Sequence, residues 1–233
     1  NLESRIQNLK LIKNKENVGF ARANNQGIEL VKGEFILLLN SDTEVLDETL
    51  EKMVRFIKGK KDIGVVGCKI MNFDKTPQAS IGEFLNLRPA IIWLLGGERL
   101  GLLRGSPNTA VQTDWVSGAA FLIRREALDK VGLFDAKFFM YLEEMEWCYR
   151  VKKANFSVWF YPQAKILHKS LGSGNREKAI LNIYQGLLYF YKKHKNLFQF
   201  LIIWLLLKFK ALVLMVAGFV FGNTYHILHL RAI

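Results

Sequence analysis

Glu34-Phe35-Ile36-Leu37-Leu38-Leu39-Asn40-Ser41-Asp42-Thr43 is the stretch on which the reading of this chain turns. A compact apolar run halted by four turn- and cap-forming residues describes a strand buried on both faces. Outward from it the period changes. Phe20–Val31 sets Ala21, Ala23, Ile28 and Leu30 among polar residues and reads as a helix. Glu48–Lys58 reads as another, with Asp47 as its N-cap. Ile63–Met71 is a further strand, and Lys10–Lys13 a short one. Helices alternating with buried strands predict an α/β fold on a mostly parallel central sheet, with ligands held at the carboxyl ends of the strands.

Beyond Met71 the pattern loosens. Asn72–Thr113 holds Pro77, Pro89, Pro107 and a scatter of glycines, and reads as a substrate loop with a short apolar helix near Ala90–Leu95. Asp114–Ile123 is strand-like, with small residues at its middle. Arg125–Val131 is a short helix ended by Gly132. Tyr141–Ala154 is a helix, and Ser157–Tyr161 and Lys165–Leu167 are short strands around Pro162. Arg176–Lys195 repeats apolar residues at the spacing of one helical face. Leu197–Phe221 is apolar apart from Gln199, Lys208, Lys210 and Gly218. The two lysines near its centre make a single membrane span marginal. The favoured reading is a helical hairpin or in-plane helix with both lysines at the headgroups; a true span and a helix packed on the domain stay open. The expected division is an α/β unit over 1–175 and a helical, apolar tail over 176–233.

Charge follows the same division. The net charge is +12, yet residues 161–233 set ten Lys or Arg against Glu177 alone. A tail both basic and apolar points to an anionic membrane surface and, without a recognised binding motif, away from nucleic acid. Cys68 and Cys148 stand far apart, outside any metal or redox spacing, and are expected to be buried reduced thiols.

Three places carry candidate chemistry. Asp42, just past the apolar strand, projects a carboxylate toward the ligand crevice, where a hard divalent cation would bridge a diphosphate; Asn40-Ser41-Asp42-Thr43 is equally a good turn. Glu143, Glu144 and Glu146 crowd the first turn of a helix, supplying a base for a hydroxyl or simply complementing the helix dipole. His168 follows a strand and precedes Ser170-Leu171-Gly172-Ser173-Gly174, as a metal ligand beside Asp42 or an ordinary surface histidine.

The order and spacing of these signals resemble family 2 glycosyltransferases. Asn17-Val18-Gly19-Phe20-Ala21-Arg22-Ala23-Asn24-Asn25-Gln26-Gly27 is similar to their N-x-G-F-A-x-A-N-N-x-G stretch, and Leu38–Thr43 to the L-L-N-x-D-T form of their acidic motif. Asp114-Trp115-Val116-Ser117-Gly118-Ala119 with Arg124-Arg125, and Val131–Asp135 with Phe138–Tyr141, resemble the rhamnosyltransferase-like branch. The resemblance covers about residues 8–195. It implies a GT-A fold, a nucleotide-sugar donor, a divalent cation (Mn²⁺ or Mg²⁺) and inversion at the anomeric carbon by one in-line displacement. It makes Asp42 and His168 metal ligands and Glu144 the base, with Glu143 beside it. It puts Asn17, Gly19, Asn24 and Asn40 on the donor side, and Trp115, Ser117 and Gly118 near the transferred sugar or acceptor. The expected acceptor is a saccharide or polyprenyl-linked saccharide of the cell envelope, met at the cytoplasmic face of the cell membrane.

The chain departs from the family pattern at three points. Glu144 stands where Asp is usual, and Asn40 replaces the first acid of the two-acid motif. The family's first strand and D-N-x-S loop would precede Asn1, so an N-terminally truncated catalytic domain is expected. A catalytically inactive remnant that binds sugar or nucleotide is the alternative from another class. A nucleotidyltransferase on a similar fold is a third, disfavoured by the missing glycine-rich phosphate loop.

Overall fold

The structure is a computed structural model that describes residues 8–169 and 176–220. Its α/β fold is built on a mixed central sheet. In chain order the elements are α1 (Phe20–Leu30), β1 (Phe35–Leu39), β2 (Thr43–Val45), α2 (Thr49–Lys58), β3 (Ile63–Met71), β4 (Ile81–Gly82), α3 (Leu87–Leu94), a 3-10 turn (Gly97–Leu100), β5 (Arg104–Gly105), β6 (Val111–Gln112), β7 (Trp115–Val116), β8 (Ala120–Arg124), α4 (Arg125–Val131), α5 (Glu143–Lys153), β9 (Ser157–His168), α6 (Arg176–His194) and α7 (Leu197–Val220).

The main sheet runs β1-β8-β3-β9-β2, with β6 also on β9, and a small second sheet runs β5-β4-β7. The expectation of a mostly parallel sheet is corrected: among the described residues only β3 and β9 pair in parallel. The connections give the reason. The excursion from Asn72 to Ala119 starts at the end of β3, builds the small sheet, and re-enters as β8 from that same end. With no helix to carry the chain back first, β8 must run against both β1 and β3. The expected strand Asp114–Ile123 is accordingly two, β7 in the small sheet and β8 in the large one, hinged at Ser117–Ala119.

Burial follows the apolar pattern. Val65, Val66, Phe121, Ile123, Val158 and Phe160 are fully enclosed between the helical layers. Met53 and Ile57 of α2 close one face, while Met145, Trp147 and Val151 of α5 close the other. Leu187, Phe190 and Tyr191 of α6, and Ile203 and Leu207 of α7, share the second of these cores.

Several local expectations are revised. Lys10–Lys13 has no strand partner among the described residues and is exposed; without a neighbour it has no sheet face to bury. Asp47 is not the cap of α2: that place falls to Glu48, left-handed at φ 52° and without a side-chain cap bond. α5 starts at Glu143 because Tyr141 and Leu142 take φ of 73° and 69°. The two strands around Pro162 are one, β9, whose register against β3 jumps from Cys68↔Tyr161 to Lys69↔Lys165, so that residues 162–164 bulge out. Ile63–Met71 and Arg125–Val131 have the expected bounds. The helical hairpin expected within 197–221 is replaced by the single helix α7. Ser170–Gly174 and the extreme ends of the chain lie outside the described residues.

Candidate active site

The motif after β1 is fixed by its neighbours. The Asn40 N–H donates to the Ala119 carbonyl (3.0 Å), and the Thr43 hydroxyl donates to the Asn40 carbonyl (2.6 Å), tying the turn. β2 pairs with the end of β9 so that Thr43 faces His168, and the Lys169 N–H donates to the Asp42 carbonyl (3.0 Å). Asp42 Oδ1 then stands 3.3 Å from His168 Nε2, with Asn40 Nδ2 3.5 Å from the same nitrogen. Two segments more than a hundred residues apart thus meet through a three-residue ladder.

Gln78 sets the chemistry of this pair. Its Nε2 donates to the carbonyl of His168 (2.8 Å) and to Asn72 Oδ1 (2.6 Å), both of which only accept. The amide orientation is thereby settled, and Gln78 Oε1 is the atom 3.0 Å from His168 Nδ1. An amide oxygen accepts, so Nδ1 carries the hydrogen. In the neutral imidazole Nε2 then presents a lone pair to Asp42, acceptor against acceptor, which a cation relieves. Adjacent ligands on a six-coordinate Mg²⁺- or Mn²⁺-sized ion stand about 3 Å apart, so the pair fits one. Among the described residues no third His, Cys, Asp or Glu joins them. That suits an ion completing its shell from phosphate and water. Gln78→Leu should weaken Mn²⁺ affinity about 10- to 100-fold by freeing the imidazole; titration calorimetry against the parent measures it.

The acidic helix divides its carboxylates between two tasks. Glu146, fully buried, takes Arg150 Nε at 3.0 Å, Lys193 Nζ at 2.9 Å and His194 Nε2 at 2.9 Å, and so ties α5 to α6. Glu143 and Glu144 are placed differently, and one oxygen of each, Oε2, is closed from solvent without a hydrogen-bond partner. Burial, followed by the Glu144 charge, pushes the Glu143 carboxyl well above its ordinary range. Burial also raises Glu144, against the pull of its own backbone N–H, the Arg104 guanidinium and the Gly118 N–H. Two buried carboxyls side by side each disfavour the charge of the other.

The hinge Ser117–Ala119 connects the two halves. Ala119 holds Asn40, Gly118 meets Glu144, and the Ser117 N–H donates to the Ser80 carbonyl (2.9 Å), two residues from Gln78. Gly118 is buried, and a Cβ on it would stand 3.1 Å from the Phe20 ring, which would have to give by a few tenths of an ångström. The small sheet carries a cavity of about 560 Å³ whose lining includes Glu83, Arg104, Asp114 and Lys152.

The remaining predicted residues are held as follows. Trp115 is buried; its indole N–H donates to the Glu83 carbonyl (3.0 Å), and Arg104 lies 5.1 Å over the ring. It stands in the small sheet, against β4. Asn17 Oδ1 accepts from the Gly19 N–H (3.0 Å), and Asn24 Nδ2 donates to the Phe20 carbonyl (2.9 Å). Gly19, at φ 83°, leaves no room for a Cβ, which would fall 2.2 Å from the Phe139 carbonyl oxygen. This stretch therefore docks the start of α1 onto the loop before α5. Asn25, not singled out in the sequence, completes the join by exchanging two hydrogen bonds with the Phe134 backbone (2.8 and 3.0 Å). Cys68 and Cys148 are buried and unpaired, and burial pushes the Cys68 thiol up to about 12.

Asp135 fastens α6 to the loop before α5. Burial alone would raise its carboxyl, but the Lys193 ammonium, the Lys137 N–H and the Tyr189 hydroxyl prevail and hold it at about 2. A depressed carboxyl stabilises the fold above its unfolded value, about 4, and that contribution fades as pH falls toward 2. The melting temperature of Asp135→Asn should therefore lie below the parent's at pH 7 and converge with it near pH 2, as followed by circular dichroism.

An acidic turn and a histidine meet at the strand ends, tied through Ala119 and Gly118 to Glu144, and the comparisons name the class to which such a chain belongs. The Glycosyl transferase family 2 description matches residues 1–132, more than half the chain. The chain belongs to glycosyl transferase family 2. The low-salt glycan biosynthesis hexosyltransferase Agl10 of Haloferax volcanii is 23% identical over 179 residues, covering 72% of this chain and 54% of the relative. The N-acetylglucosaminyl-diphospho-decaprenol L-rhamnosyltransferase of Mycobacterium tuberculosis is 38% identical over 65 residues, 28% of this chain and 21% of the relative. The chain thus spans at most about half the length of these two relatives. Among solved structures, the mannosyltransferase PcManGT from Pyrobaculum calidifontis, in complex with GDP-Man and Mn²⁺, superposes with a TM-score of 0.50 at 14% identity, covering 96% of this chain and 68% of that one. That likeness is one of fold.

Proposed function

We propose that this chain is the catalytic part of an inverting, metal-dependent glycosyltransferase of glycan biosynthesis. It takes a sugar from a nucleotide-diphosphate donor to a saccharide or lipid-linked acceptor at the cytoplasmic face of the cell membrane. One observation carries the reading: the β2–β9 pairing and Gln78 hold His168 Nε2 3.3 Å from Asp42 Oδ1, the spacing of two ligands on one ion. The names of the hexosyltransferase and rhamnosyltransferase relatives support the reaction, and the decaprenol in one of them supports a polyprenyl-linked acceptor. Rhamnose is the donor sugar to try first. The division at residue 175 is one of role: residues 1–175 supply the site, and 176–233 the membrane-facing helices.

Bound between Asp42 and His168, Mn²⁺ or Mg²⁺ would neutralise charge on the departing diphosphate. The chain's own residues do the rest. Asn40 steadies the imidazole at the edge of the site. Glu144 takes the proton of the acceptor hydroxyl, while the Gly118 N–H and Arg104 favour its anion. Neutral Glu143 spares the pair a second buried charge. Attack from the face opposite the leaving group inverts the anomeric carbon. The test is nucleoside diphosphate release by the full-length protein from a panel of nucleotide sugars with Mn²⁺. Release from at least one donor is expected; none from any, with no binding of nucleoside diphosphate, would defeat the reading in favour of an inactive remnant.

A further inference from the structure

α7 has two faces, and both are apolar. Ile203, Leu207 and Ala211 are fully buried toward the domain, and Lys210 reaches over Trp93 of α3 and Tyr184 of α6 (5.4 and 6.0 Å). The opposite face presents Leu197, Phe198, Leu201, Leu205, Phe209 and Leu212 to solvent, with Phe198 71% and Phe209 66% exposed. These positions follow the helical repeat, so they form one stripe along the helix. Lys208 at its margin is 5.6 Å from the Trp204 ring centre.

A second apolar element stands alongside. Asn86, before α3, accepts from Lys195, before α7, and Trp93 at the far end of α3 meets Lys210. The two helices therefore run the same way. Just past Trp93 come Leu95 (83% exposed), Leu100 (76%) and Leu102, and after them Arg104, whose charge acts on Glu144. Water is a poor partner for such a surface, and exposed apolar areas this extended mark an interface.

Charge names the occupant. From Lys178 to Val220 there is no Asp or Glu, against Lys178, Lys192, Lys195, Lys208 and Lys210, with Lys193 taken up by Asp135 and Glu146. We propose that α7 and the 95–102 segment form one docking face that lies flat on an anionic lipid bilayer, the helix in the plane of the headgroups rather than across the membrane. The packing of α7 decides between the two orientations. A spanning α7 would draw α3 and α6, with the lysines of α6, into hydrocarbon. An in-plane α7 buries its outer stripe about 5–10 Å deep and leaves the domain in water. Flat docking would also bring Arg104 and its cavity near the membrane plane, where a lipid-linked acceptor is held. It rests on the membrane placement proposed above, not on the sugar-transfer chemistry.

The test uses the full-length protein with vesicles of phosphatidylcholine alone or with phosphatidylglycerol. Nitroxide labels go on single cysteines introduced at Leu100, Leu201, Leu205 and Leu212, where the buried native thiols do not compete. Tight binding to the anionic vesicles only, with all four labels at a similar shallow depth, is expected. Leu205→Glu with Phe209→Glu should reduce binding at least about 100-fold, since each side chain is worth roughly tenfold or more. Leu30→Glu on α1 should not. Label depth increasing steadily along α7 would overturn flat docking while keeping membrane association. Absence of binding to either vesicle would overturn both, and sugar transfer to a soluble acceptor would be unaffected in each case.

Discussion

Asp42→Ala should lower nucleoside diphosphate release about 1,000-fold while leaving the melting temperature close to the parent's. Asp42 lies in a turn past the end of β1, its side chain is about one-third exposed, and its only ion-pair partner among the described residues is His168. Little of the fold hangs on it: the turn is closed by its backbone carbonyl and by Thr43, which the substitution keeps. The catalytic loss should be large because one of just two protein ligands disappears, and losing a ligand exceeds the 10- to 100-fold typical of its hydrogen-bonded supports. Asp42→Asn keeps the shape but not the charge and should fall nearly as far. Steady-state kinetics with saturating Mn²⁺ and thermal melts of the same preparations check both halves of the statement.

Glu144→Gln should cost about 100- to 10,000-fold in kcat, the range of a general base. Its pH dependence separates this loss from mere distortion. The base works as the anion, and burial raises Glu144, so parent activity should climb with pH through a value above the ordinary carboxylate range. Glu144→Gln should keep a residual rate without that limb. Stability should move the other way. A carboxyl raised by folding holds its proton more tightly folded than unfolded, so stability is lost as pH rises past the unfolded value. Glu143, raised further, should show this most. Glu143→Gln should melt higher than the parent at pH 8, with the difference vanishing near pH 4. A Glu144→Gln protein that melts normally and turns over normally would remove that residue from the chemistry.

The parts of this molecule written locally were legible. The apolar run before Asn40, the short helix ended by Gly132 and the nine-residue β3 are each governed by near neighbours, and their bounds hold closely. Pairing direction was not legible, because nothing within Ala120–Arg124 records that the chain arrives from the end where β3 left it. The approach of Asp42 to His168 follows the carried-over motif, whereas its cause, the β2–β9 ladder, has no local signature in Thr43–Val45. Gln78 and Arg104 lie in a proline- and glycine-interrupted stretch without periodicity. Only coordinates reveal that one fixes an imidazole and the other acts on a buried carboxylate. The contacts of Trp115 were equally out of reach: nothing in Asp114–Gly118 records that its indole N–H bonds the Glu83 carbonyl across the small sheet.

Electron spin-echo spectroscopy of Mn²⁺ bound to the protein with a nucleoside diphosphate tests the cation site most directly. Nitrogen coupling from a single imidazole is predicted, lost in His168→Gln, together with phosphorus coupling from the nucleotide and weakened binding in Asp42→Ala. Mn²⁺ held without nitrogen coupling, or with undiminished affinity once Asp42 is gone, would contradict the account.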